Sequence, residues 1–370
     1  GQPQIKTNEM KTRTVTVFLL VLLATAHAQT TKTQNVIIVT LDGYRWQELF
    51  TGADPVLVKN EKYVRSPESL LRQFWDDDPI KRRKALMPFF WSVIAREGQL
   101  YGNRAFGNHV DCTNGMWFSY PGYNEILTGH ADDDRITSNA KVNNPNVTVL
   151  ESVNRLPGFQ GKVAAFGSWD VFPFIINEER SGVPVNAGFE TAAGAGLSAT
   201  EVFLNGLQKE IPSPWDEVRL DAFTHHYAME YIKRKQPRLV YIAYGETDDF
   251  AHDGNYGAYL KAAHRTDGFI RQLWEWLQSD DHYKDKTTLV ITTDHGRGAL
   301  DAWRGHGREV KGSGEVWFAV LGPDTTGKGE VKTPGQYYQN QMAATVAALL
   351  EVGFAGAAKA GKPVKGAVDR

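Results

Sequence analysis

The 370-residue chain is 42% hydrophobic and 23% charged, with a formal net charge of −2, which is the composition of a folded globular protein and excludes a fibrous or broadly disordered one. That charge balance also excludes the large basic surface of a nucleic-acid duplex binder. Cys112 is the only cysteine, so no intrachain disulfide can form and stability must come from core burial.

The first predicted element is a secretory signal peptide over residues 10–28. Met10, Lys11 and Arg13 precede the apolar run Val17 to Ala26, and Ala26-His27-Ala28 is a small-x-small cleavage site before Gln29. Residues 1–9 read as upstream residues, and the mature chain is expected in the periplasm or outside the cell. No apolar run reaches the roughly 20 residues that a membrane span needs.

The rest, 29–370, is read as a single catalytic domain. Strands are predicted at Val36 to Leu41, Lys162 to Phe166, Leu239 to Tyr244, Thr288 to Thr292 and Val316 to Leu321, all β-branched apolar runs. Helices are predicted at Lys81 to Ala95, Trp215 to Lys235, Tyr256 to Leu277 and Gln336 to Glu351, where apolar positions recur at three and four residues. Residues 53–107 read as an elaboration over the site, the Gly-rich 187–197 as a surface loop, and 352–370 as a loosely held tail. Alternating strands and helices point to an α/β fold with a mostly parallel sheet covered on both faces.

In such a sheet the ligand site lies beyond the carboxyl ends of the strands. Three runs end there in the same kind of group: Asp42-Gly43, Gly245-Glu246-Thr247-Asp248, and Asp294-His295-Gly296. Carboxylates and imidazoles delivered by separate strands are what a cation site needs. Asp248 and His252 stand four apart and would face one cation on a helical turn, although such pairs also occur as solvated neighbours. Asp294-His295 after a buried strand is costly unless something pairs it. Asp42-Gly43 is also an ordinary turn dipeptide, and His306 between Gly305 and Gly307 could equally be a loop histidine. Ser119 precedes a predicted helix, where a serine either attacks an anion held at the helix N-terminus or caps the helix.

The order decides between these alternatives. A strand-end Asp, a Ser before a helix, Asp-x-x-x-His, Asp-His-Gly and Gly-His-Gly, from Asn35 to about Pro323, resemble the alkaline phosphatase superfamily. The resemblance implies a three-layer α/β/α sandwich and two divalent metal ions, zinc by preference and manganese by the same ligand types. It assigns Asp248, His252 and His306 to one metal, Asp42, Asp294 and His295 to the other, and makes Ser119 the nucleophile of a covalent phosphoseryl intermediate. Sulfatases of the superfamily carry Cys/Ser-x-Pro-x-Arg, whereas Ser119-Tyr120-Pro121-Gly122-Tyr123 has Tyr for the Arg.

The frame Pro121 to Gly129 and Asp42-Gly43-Tyr44-Arg45 look like the type I phosphodiesterase and nucleotide pyrophosphatase branch. The branch implies an Asn that donates to a phosphoryl oxygen, best matched by Asn139, with Asn143 and Asn144 as alternatives; Trp169 reads either as a stacking face for a base or aryl leaving group or as a core aromatic at a strand end, and Tyr120 as a substrate contact. The strand after Gly161 ends in Phe166-Gly167-Ser168-Trp169-Asp170 and lacks the cations that a monoesterase sets there. Arg45, Arg135, Lys141, Arg297 and Arg304 could restore that charge. The expected substrate is therefore a small phosphorylated molecule, a nucleotide or aryl phosphodiester, with a phosphomonoesterase as alternative and a sulfatase, phosphotransferase or non-catalytic relative behind it.

Overall fold

The computed structural model describes residues 1–4 and 32–368, so the predicted signal peptide lies outside the described residues. β1 (Asn35–Leu41) is buried at every position because both its faces are covered. Ile37, Val39 and Leu41 enter one apolar core, and Val36 and Ile38 enter the other, as the period of a strand requires. The remaining strands are β2 (Gln99–Tyr101), β3 (Asn108–Asp111), β4 (Val163–Gly167), β5 (Val185–Ala187), β6 (Leu239–Tyr244), β7 (Thr287–Thr292), β8 (Glu315–Val316), β9 (Phe318–Leu321), β10 (Gly329–Glu330) and β11 (Gly335–Tyr338).

Eight strands form one sheet in the order β10-β2-β9-β7-β1-β6-β4-β5, and β11-β3-β8 form a smaller one. From β7 through β1, β6 and β4 to β5 the pairing is parallel, while β9 runs antiparallel to both β7 and β2. Helices Asp221–Lys235 and Tyr256–Leu277 bury Phe223, Ile232, Leu260 and Ile270 in the first core. Helices Ser119–Thr128, Val149–Asn154 and Met342–Leu349 bury Tyr123, Ile126, Val153 and Val346 in the second. The result is a three-layer α/β/α sandwich on a mixed, mostly parallel sheet. No helix among the described residues is long and apolar enough to cross a membrane.

Several elements depart from their sequence patterns for local reasons. The predicted helix Lys81 to Ala95 breaks after Pro79–Leu86, because Pro88 has no N–H to continue the ladder, and a wider turn follows at Phe90–Ile94. The helix predicted from Trp215 starts only at Asp221. Before it, residues 217–219 run extended beside the end of β4, with Asp170 N donating to Glu217 O at 3.0 Å and Arg219 N to Ser168 O at 3.0 Å. The run Val316 to Leu321 divides at buried Trp317, so that β8 and β9 belong to different sheets. In Gln336 to Glu351 only Met342–Leu349 is α-helical, since the first residues pair as β11.

Two further regions have a defined local structure. Residues 53–107 help build the first core, through Leu70, Phe74, Leu86 and Phe90, add β2 to the sheet, and reach the loop before His306 through the Tyr63 hydroxyl, which donates to Asp301 Oδ1 at 2.7 Å. The tail is anchored by buried Val364 and Ala367, and the Val364 N–H donates to Thr345 Oγ1 at 3.0 Å.

Candidate two-metal site

Parallel strands β1, β6 and β7 lie side by side, so their carboxyl ends deliver Asp42, the helix Glu246–His252 and Asp294-His295 to one edge. Two clusters result. Asp248, His252 and His306 form one, Asp42, Asp294 and His295 the other, and within each the ligand atoms lie within 4.8 Å of one another. The clusters abut, because the rings of His295 and His306 stack with centroids 3.9 Å apart.

The second cluster is buried and internally unsatisfied. His295 Nε2 lies 3.3 Å from Asp42 Oδ1 and 3.4 Å from Asp294 Oδ2. Both of those oxygens are buried without a hydrogen-bond partner among the described residues. The other two are occupied: Tyr123 donates its phenol to Asp42 Oδ2 at 2.7 Å, and Gly43 N donates to Asp294 Oδ1 at 3.0 Å. Burial and the nearby Asp248 carboxylate push Asp42 up to about 7, and burial with Asp42 raises Asp294 well above the carboxylate range. A divalent cation is the partner that these orphan oxygens lack.

In the first cluster His252 Nε2 and His306 Nε2 stand 3.0 Å apart, with Asp248 Oδ2 3.1 Å from His252 Nε2. Burial acts to raise Asp248, but Arg297, ion-paired to its Oδ1, holds it well below the carboxylate range with help from His252 and His306. The His306 Nδ1–H donates to Trp117 O at 3.2 Å and the His295 Nδ1–H to Gly296 O at 2.9 Å. A carbonyl can only accept, so both rings keep the Nε2 lone pair for a cation. Burial depresses His295 to about 4 and His306 to about 3, which keeps them neutral as ligands must be.

Two glycines make the clusters close. Gly43 adopts φ +56°, and a Cβ there would lie 2.7 Å from both Asp248 Oδ1 and Arg297 Nη1. At Gly122 a Cβ would lie 2.3 Å from Asp294 O, so the Ser119 helix touches the end of β7 directly.

Ser119 is the first residue of its helix and is buried, with Oγ 3.4 Å from His295 Nε2. The cap is Phe118, which has no side chain to bond the helix end, and Asn139 Oδ1 instead accepts the Tyr120 N–H at 3.0 Å. Capping therefore falls to Asn139 and leaves the serine hydroxyl at the cluster. The Asn139 amide NH2 makes no hydrogen bond among the described residues. The loop before Ser119 is pinned by buried Glu125, which accepts from Thr113 N at 2.8 Å and Asn114 N at 2.8 Å. Trp117 in that loop takes φ +54°.

Tyr120, expected at the substrate, is buried, and its hydroxyl donates to Val142 O at 2.7 Å. Trp169 is half-buried at the end of β4, edge-on to Phe172 with centroids 6.3 Å apart. The five candidate cations are all engaged. Arg45 is buried against Glu48, Arg297 pairs with Asp248, Arg135 with Asp132, and Lys141 with Asp170, while Arg304 donates to His252 O. Sequence reasoning missed Tyr123 as the donor to Asp42 and Arg297 as the partner of Asp248. A buried polar group one turn past a candidate nucleophile, and an Arg two residues past a candidate ligand, were the available signals.

The chain superposes on several solved structures. An alkaline phosphatase, PafA, matches at TM-score 0.57 and 11% identity over 91% of this chain and 99% of its own. The phosphonate monoester hydrolase SpPMH from Silicibacter pomeroyi matches at TM-score 0.55 and 13% identity over 90% and 76%. The lipoteichoic acid synthase LtaP from Listeria monocytogenes matches at TM-score 0.52 and 13% identity over 86% and 72%. At these identities the likeness is one of fold. No curated protein matches the chain in sequence. The pattern of the type I phosphodiesterase / nucleotide pyrophosphatase family matches residues 50–310. With its two ligand clusters, the chain is a metal-dependent phosphoric ester hydrolase of the alkaline phosphatase superfamily and belongs to the type I phosphodiesterase / nucleotide pyrophosphatase family.

Proposed function

We propose that the chain is an exported, zinc-dependent phosphodiesterase that acts through a covalent phosphoseryl intermediate on Ser119. The observation that carries this reading is the buried Ser119 hydroxyl, 3.4 Å from a ligand nitrogen of one cluster and free of capping duty. Two divalent cations in the clusters would supply Lewis acidity, easing ionisation of the hydroxyl and stabilising the departing oxygen.

The chain's own residues supply the rest. Ser119 Oγ attacks phosphorus, an Oγ–P bond forms, and the P–O bond to the leaving alcohol breaks in line; water then cleaves the Oγ–P bond and regenerates the serine. The helix start beneath Ser119 and the unpaired Asn139 NH2 favour the non-bridging oxygens. Trp169 offers a flat apolar face to a base or aryl leaving group. Charge supports a diester: Arg45, Arg135, Lys141 and Arg297 are each paired with a carboxylate, only Arg304 bonding a neutral carbonyl, and a monoester carries nearly one more negative charge to be met.

The test compares kcat/KM on bis-p-nitrophenyl phosphate, p-nitrophenyl phosphate and p-nitrophenyl sulfate for the zinc-loaded chain and Ser119→Ala. The diester should be preferred, and the variant should lose at least roughly a thousandfold. Activity retained in Ser119→Ala sinks the nucleophile, and a strong monoester preference sinks the diester reading.

A further inference from the structure

Asp170 follows Trp169 at the end of β4 and is held from several sides. Its N–H donates to Glu217 O at 3.0 Å, and Gly188, at φ +55°, closes on it so tightly that a Cβ there would lie 2.4 Å from Asp170 Cβ. Lys141 Nζ lies 2.7 Å from Asp170 Oδ2, while Asp170 Oδ1 is buried without a hydrogen-bond partner. An ion pair with an exposed lysine contributes little, and an orphan carboxylate oxygen costs more than that. Stability does not account for this carboxylate.

Its position suggests a reason. Lys141 stands two residues beyond Asn139, whose side chain holds the Tyr120 N–H beside Ser119. Trp169, on the other side of the pair, packs on Phe172, which packs on Tyr123 of the Ser119 helix at 4.8 Å. The ion pair therefore bridges two segments that both reach that helix. Arg45 and Arg297 are themselves buried and paired with carboxylates, whereas Lys141 is 43% exposed and its partner is a single part-exposed oxygen. Of these three cations it is the one whose release costs least.

We propose that Asp170 is the charge-selecting residue of the site: it neutralises Lys141, so that a singly charged phosphodiester is accepted, and a substrate bearing a second negative charge is met only by drawing Lys141 away from it. This rests on the phosphodiesterase reading above. Wild type, Asp170→Asn and the double variant Asp170→Asn/Lys141→Ala, each zinc-loaded, are compared on p-nitrophenyl phosphate and bis-p-nitrophenyl phosphate. Calorimetry on the same proteins gives their affinities for inorganic phosphate and for dimethyl phosphate. Asp170→Asn should raise both the monoester-to-diester ratio of kcat/KM and the phosphate-to-dimethyl-phosphate affinity ratio roughly tenfold, the effect of freeing one charge-assisted contact. The double variant should return both ratios to the wild-type values.

Unchanged ratios in Asp170→Asn, or a gain that survives loss of Lys141, overturn the proposal. Asp170→Ser serves in the same comparison should the Asn variant not fold. A wild type that turns over the monoester and not the diester defeats the phosphodiesterase reading, and the two ratios still decide the role of the pair. If no turnover is seen, the binding ratio decides it alone.

Discussion

Tyr123 shows how one side chain sets the character of the site. It stands where the superfamily's sulfatases carry an arginine, and its phenol donates to Asp42 Oδ2 at 2.7 Å within a cage of Phe172 and Tyr241 rings. A guanidinium there would be a permanent charge against a metal ligand, whereas a phenol orients Asp42 and leaves its charge to a cation. Tyr123→Phe should weaken metal binding at the Asp42 cluster by roughly ten- to a hundredfold, read by competition with a chromophoric chelator. An unchanged affinity would mean that the phenol does not orient the carboxylate. Asp42, Asp248, Asp294 and His295 were visible as residue types after strands, His252 by its spacing from Asp248, and His306 by the order it shares with the superfamily. What surrounds them was not, because Tyr123, Gly43 and Arg297 matter through contacts between strands and helices far apart in the chain.

Among the elements, the strands that run through both cores were legible because their apolar runs are unbroken. The errors fall where one pattern hides two elements. Pro88 cuts a helix that its neighbours' periodicity would continue, and Trp317 changes sheets within an apolar run. The break at Pro88 needs partners for the N–H groups after it, and Asp267 of the helix Tyr256–Leu277 supplies them, accepting from Phe89 N at 2.7 Å and Phe90 N at 2.9 Å.

Burial pushes the Asp267 carboxyl up to about 7 despite those bonds. The folded state thus binds its proton more tightly than the unfolded chain does. This contribution to stability is fully present below the ordinary carboxylate range and is lost as pH rises through about 7, at up to about 1.4 kcal/mol per pH unit. Asp267→Asn should flatten the fall in unfolding free energy between pH 4 and 7, measured by urea denaturation. A slope equal to that of wild type would exclude Asp267 as its source.

On the scale of the whole molecule, the sheet concentrates buried carboxylates, two of whose oxygens find no hydrogen-bond partner among the described residues. Asp42 and Asp294 are both buried, each with one oxygen lacking a partner among the described residues; burial raises both, Asp248 adds to the rise of Asp42, and Asp42 adds to that of Asp294. Such a group of charges works against folding unless a cation joins it, so metal binding and global stability are linked. Zinc at about a thousand times its dissociation constant should stabilise the fold by about 4 kcal/mol per site. A thermal melt before and after exhaustive chelation measures this, and an unchanged Tm would argue that the clusters hold no structural share of the fold.

The contact of Gly122 with the carbonyl of Asp294 has a kinetic consequence. The helix that begins with Ser119 meets the end of β7 with no room for one more carbon atom, and Ser119 shares a hydrogen-bond distance with His295 on that strand's end. Ser119 and the ligand candidates Asp294 and His295 are therefore held against one another by direct packing. For the serine proposed as nucleophile, this contact sets the attack distance when the chain folds and not anew at each turnover.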